Sequence, residues 1–146
     1  MLNDPSSPVS GNLKGDVTLV EFFDYRCGFC KRVAGAVTQL QKDDARVRVV
    51  YKDLPILGEA SELAAKAALA SGAQGKHQAF HEALLAAEGD MSKDTILAVA
   101  GEVGLDAKRL ATDMANPEWQ AVIDRNRALA KDLGISGTPG FIAGSE

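Results

Sequence analysis

Apolar positions follow three different rhythms along the chain. In Val17-Thr18-Leu19-Val20-Glu21-Phe22-Phe23, β-branched and aromatic side chains run almost unbroken, the pattern of an interior strand. From Lys31 to Gln41 they recur at Val33, Ala34, Val37 and Leu40, which is helical spacing and predicts a helix over about 27–42. Arg46 to Lys52 alternates and is β-rich, predicting a second strand. Two strands connected through a helix are expected to be parallel, with a right-handed crossover. Leu54-Pro55-Ile56-Leu57-Gly58 then breaks the pattern.

Residues 59–133 change character. They are rich in Ala and Leu, with good helix formers and almost no β-branched clusters. Helices are predicted at about 59–72, 75–88, 93–103, 106–115 and 117–133, with stops at Gly72, Gly75, Gly89, Gly104 and Gly134. Ser92-Lys93-Asp94 and Asn116-Pro117-Glu118 read as helix N-termini, the second with Pro at the first helical position. The expected organisation is an extended lead at 1–15, a βαβ platform at 16–58 and 134–146, and an inserted all-helical block at 59–133. After the block, Ile135-Ser136-Gly137-Thr138-Pro139-Gly140-Phe141-Ile142 reads as a constrained turn opening a strand.

The chain's 146 residues suffice for one domain with a proper core, and 46% hydrophobic with 25% charged residues is a globular composition. A net charge of −4 argues against nucleic acid as a partner. No apolar stretch is long enough to span a membrane, and Asp4, Lys14, Asp16 and Glu21 interrupt any signal-peptide pattern.

The two cysteines, Cys27 and Cys30, lie where the first strand turns into the first helix. A bridge between them closes almost no loop, so its use is chemical rather than stabilising. Cys27 falls at a helix N-terminus, where free N–H groups and the macrodipole favour an anion, and thiolate is the reactive form of cysteine. It is expected at the exposed start of the helix, with Cys30 one turn in and more buried. Arg26, Lys31 and Arg32 are close in sequence and favour a thiolate at Cys27, or are ordinary solvated charges. Gly28-Phe29 between the cysteines supplies no further polar group. Glu21 sits in an otherwise apolar strand, where a carboxyl is costly to bury without a task or partner, and Lys52 is a candidate charge partner.

An apolar strand ending in Cys-x-x-Cys, an inserted Ala-rich helical block and a late Gly137-Thr138-Pro139 together resemble the DsbA-like thiol:disulfide oxidoreductases, a thioredoxin-fold family. Val20-Glu21-Phe22-Phe23-Asp24-Tyr25 and Ala79-Phe80-His81-Glu82-Ala83-Leu84 carry the same resemblance, which covers nearly all of 17–146. It implies an α/β thioredoxin-like fold with a helical insertion. It implies that Cys27 and Cys30 are the redox pair and that Pro139 is a cis proline beside them. Thr138 would offer its backbone to an extended substrate, and Glu21 would pass protons to and from Cys30. Gly28, Phe29 and Arg26 would tune the site; without the Pro-His of the most oxidising members, a milder oxidant is expected. The redox-active disulfide would need no cofactor. Partners would be cysteine-containing proteins or peptides and an unidentified redox partner that recycles the dithiol. Disulfide donation implies a periplasmic or otherwise exported location. The family fold continues past the proline with a strand, a partner strand and a closing helix, so the natural chain is expected to run beyond Glu146.

Oxidase, reductase and isomerase directions stay open on the motif alone. A different class, a metal-binding or non-catalytic interaction module, would need two more ligands. His77 and His81, four apart on one helix face, are the only histidines, and ordinary packing is the expectation for them, with no metal. Met114 and Trp119 are expected in the core of the helical block or lining a groove.

Overall fold

The computed structural model describes residues 1–145. Four strands and six α-helices follow in the order β1 (Val9–Gly11), β2 (Val17–Phe23), α1 (Gly28–Asp43), β3 (Val47–Asp53), α2 (Glu59–Ser71), α3 (His77–Ala86), α4 (Lys93–Glu102), α5 (Ala107–Asp113), α6 (Pro117–Asp132) and β4 (Gly140–Ser145). A 3-10 turn at Gly72–Gln74 follows α2. The predicted elements all form, with ends moved by one or two residues.

The strands make one mixed sheet in the order β1-β3-β2-β4. β2 and β3 run parallel, with Glu21 beside Tyr51, Phe22 beside Lys52 and Phe23 beside Asp53. β4 pairs antiparallel with β2, and Phe141 lies opposite Glu21. β1 was not anticipated. Val9–Gly11 pairs antiparallel with β3, inside what reads as an extended lead. Its three residues are too few to show a period of two, so the strand is specified by the β3 edge it covers.

Alternation along β2 and β3 gives the sheet two working faces. One face, with Leu19, Phe23, Val49 and Tyr51, packs on Cys30 and Val37 of α1 and on the helical block, including Phe80, Leu84, Ile96, Leu110 and Met114. The alanines of α2 (Ala64, Ala67, Ala68 and Ala70) are fully buried there and let the helix lie close. The other face, with Val20, Phe22 and Val50, packs on Leu54 and on Ala130 of α6. The N-terminal half of α6 meets α2 through Val122 and Ile123 against Ala65 and Leu69. Thus α6 spans from the helical block to the far side of the sheet. Met114 is core, and Trp119 packs on two apolar clusters while its Nε1–H donates to the Asp113 carbonyl.

Candidate functional site

The redox pair stands where the central strand β2 delivers the chain to α1. Cys27 is the N-cap, in extended conformation, and Gly28 is the first helical residue. The cap is held from behind, since the Cys27 N–H donates to the Asp24 carbonyl at 3.1 Å. In front, Cys27 Sγ accepts from the Cys30 N–H at 3.4 Å, so the sulfur takes the place of the oxygen that usually caps a helix. Both cysteines are free thiols. Cys30 has no exposed surface and Cys27 only 8%, so Cys27 is less open than a position at the start of a helix suggests.

Thr138–Pro139 is a cis peptide. The loop before β4 brings Thr138 against the sulfur, and the Cys27 thiol donates to the Thr138 carbonyl at 3.4 Å. Residues 111 positions apart thus meet at one atom.

The two thiols are electrostatically unlike. Burial acts to raise the Cys27 pKa, but the Thr138 side chain and the Cys30 and Phe29 amides together outweigh it and bring the thiol below its ordinary value. Cys30 is pushed up to about 12, by burial first and by its neighbour Cys27 as well. Glu21 is pushed up to about 7 by burial. With Tyr51 and His81 it borders a cavity of ≈ 10 Å³ whose outer rim is Thr38 and Glu82, room for the centre of one water molecule.

Lys52 is not the partner of Glu21. Lys52 sits one register position on, beside Phe22, and so projects from the opposite face of the sheet. Its ammonium donates to Ser7 Oγ at 2.6 Å and lies 3.5 Å from Asp4. The three cations near Cys27 also spread out. Arg26 donates through Nη1 to the Leu57 carbonyl at 2.6 Å. Lys31 Nζ reaches the Leu84, Leu85 and Ala87 carbonyls at the end of α3. Arg32 lies over the Phe29 ring, 4.5 Å from its centroid. Phe29 itself is 62% exposed, and Gly28 has Arg32 Nη2 3.5 Å from where a Cβ would stand.

Several site-building residues escaped the sequence reading. Asp24 is buried, and its carboxyl oxygens accept from the N–H groups of Arg26, Ile56 and Leu57 and from Ser61 Oγ. It ties the active-site turn to the loop before α2. Its place directly after an interior strand is a signal only in retrospect. Tyr25 OH and His81 Nδ1 are 2.7 Å apart, linking the same turn to α3. The His77 and His81 rings stack at 5.5 Å, and burial lowers both pKa values, His77 to about 4. No cluster of three His, Cys, Asp or Glu side chains fit for a metal occurs among the described residues. Asp53 is a second hidden acid: its carboxyl oxygens have no hydrogen-bond partner among the described residues, and burial drives its pKa well up.

Several solved structures share this fold. A thioredoxin-like oxidoreductase from Silicibacter pomeroyi DSS-3 superposes with a TM-score of 0.94 at 50% identity, covering 97% of this chain and 82% of that one. The thiol-disulfide exchange protein alpha-DsbA2 of Wolbachia pipientis gives 0.92 at 35% identity, covering 99% and 80%. A periplasmic thioredoxin-like protein of Salmonella enterica serovar Typhimurium gives 0.90 at 32%, covering 99% and 81%. Among curated proteins, the Na(+)/H(+) antiporter NhaA 1 of Salinispora arenicola is 32% identical over 135 residues, 91% of this chain. The chain spans only 21% of that protein's length, so what they share is one stretch of it. No helix among the described residues is long and apolar enough to cross a membrane. The DSBA-like thioredoxin domain profile matches residues 18–146, and with the dithiol at the head of α1 the chain belongs to that family of thiol:disulfide oxidoreductases.

Proposed function

We propose that the protein is an exported oxidase that passes a Cys27–Cys30 disulfide to reduced protein substrates. The observation that carries this reading is the placement of the two sulfurs: Cys27 Sγ caps α1, accepting from the Cys30 N–H at 3.4 Å with Thr138 against it, while Cys30 is fully buried one turn in, which lowers the first thiol and raises the second. A dithiol whose outer sulfur is stabilised as thiolate favours its reduced form, which makes its disulfide an oxidant.

The step balances as follows. A substrate thiolate attacks Cys27 Sγ of the disulfide, a new S–S bond forms, and Cys30 leaves as thiolate. With so high a pKa, Cys30 takes up a proton at once; in this reading Glu21, pushed up to about 7 by burial, supplies it, and the raised carboxyl is what supports that role. A second substrate thiolate then attacks the substrate sulfur of the mixed disulfide and releases Cys27. The substrate loses two electrons and the Cys27–Cys30 pair gains them, with no further cofactor. A redox partner then removes them. Support for substrate docking comes from Thr138, at the mouth of β4. That strand has a sheet neighbour on one side only among the described residues, so an extended peptide can lie along the loop. Export is supported by the Salmonella relative, which is periplasmic by its description.

Oxidative refolding of a reduced disulfide-containing protein with stoichiometric oxidised enzyme tests this. Wild type restores the substrate's disulfides and Cys27→Ser does not. In the reverse direction, Cys30→Ser accumulates a mixed disulfide through Cys27. A wild type that leaves the substrate reduced would overturn the reading.

A further inference from the structure

The surface around Cys27 carries two cations that the protein itself does not neutralise. Arg46, Arg109 and Arg127 pair with Asp44, Asp113 and Glu62 at 2.9, 3.3 and 2.8 Å. Among the described residues, neither Arg26 nor Arg32 has a carboxylate within ion-pair distance. Arg48 and Arg125 likewise form no ion pair among the described residues, so what distinguishes Arg26 and Arg32 is their position, on either side of Cys27 in the active-site turn and the first turn of α1.

Both guanidinium groups are nevertheless held in place. Arg26 is tied to the Leu57 carbonyl. Arg32 folds back along the first turn of α1, its Nε toward the Gly28 carbonyl at 3.4 Å and its plane over Phe29. The neighbouring cation, Lys31, is turned away onto the end of α3. The first turn of α1 has no acidic residue, so Arg32 adds positive charge to the positive end of a helix dipole. That is unfavourable until an anion arrives. Beside the cations stand exposed apolar side chains: Phe29, and Ile56 and Leu57 at 45% each.

We propose that Arg32, braced on Phe29, acts with Arg26 to select polypeptide substrates carrying Asp or Glu within a few residues of the cysteine to be exchanged. This rests on the oxidoreductase reading and adds to it a substrate class. The chemistry is thiol–disulfide exchange, with the substrate thiolate attacking Cys27 Sγ and Cys30 leaving as thiolate. The two arginines act on encounter and docking, where complementary charge raises the association rate and salt lowers it.

The test uses three unfolded peptides with one cysteine flanked by acidic, by neutral amide, or by basic residues. Mixed-disulfide formation with the oxidised protein is timed for each. Every rate is divided by the same peptide's rate with a small uncharged disulfide, which removes the effect of flanking charge on the thiol itself. The acidic peptide is expected to exceed the basic one about fivefold at low ionic strength, the scale of one or two exposed ion pairs. Near 1 M salt, with a Debye length of about 3 Å, that preference is expected to vanish. Arg32→Gln with Arg26→Gln collapses the ratio, and Arg32→Lys restores most of it. Equal normalised rates in wild type would overturn the proposal, as would a ratio unmoved by salt and by the double substitution. Failure of the neutral peptide to react at all would instead overturn the oxidoreductase reading. The salt series on wild type decides the matter even if the double variant does not fold.

Discussion

At the scale of single residues, Glu21 is the costly one. Its carboxyl is held near pKa 7 by burial, against 4.5 as the ordinary value. A raised acid favours the native state fully below the unfolded value. That contribution is lost as pH climbs from 4.5 through 7, because the unfolded chain ionises first. Glu21→Gln is therefore expected to match wild-type stability near pH 4 and to exceed it by about 3 kcal/mol at pH 8, read from urea unfolding of the reduced protein. The histidine pair has the opposite sign. His77 is depressed to about 4 and His81 is depressed as well, so their contribution is present above pH 6.5 and drains away as pH falls through 4. At the redox pair, alkylation of the reduced protein at pH 8 is expected to label Cys27 and to spare Cys30, as peptide mapping would show.

At the scale of elements, the strand–cysteine–helix join was legible because everything that specifies it is local: an apolar run, two cysteines and a helical spacing. Its supports were not. Asp24 binds groups 32 to 37 residues away, and Cys27 meets Thr138 at a separation of 111. No local pattern encodes such closures. Lys52 shows the same limit in reverse. Its place at the end of a strand suggested Glu21 as its partner, but a one-residue offset put the two on opposite faces, and only the register reveals that. Because Asp24 organises the turn, Asp24→Ala is expected to cost about 2–4 kcal/mol in urea unfolding, by leaving several donors without an acceptor. Asp24→Asn, which keeps an acceptor oxygen, is expected to cost less.

At the scale of the whole molecule, the helical block is more than an addition to the sheet. Phe80, fully buried, packs in the same apolar cluster as Phe23, Tyr51 and Cys30, so the block and the redox centre share one core. Phe80→Ala is expected to lower global stability by about 3–5 kcal/mol in thermal or urea unfolding, although it lies outside the active-site turn. The measurement that bears most directly on the central claim is the equilibrium of the Cys27–Cys30 couple with reduced and oxidised glutathione. A capped, lowered Cys27 above a raised Cys30 predicts an oxidising couple, less negative than about −220 mV. A couple at about −270 mV or below, the range of thioredoxin itself, would contradict it.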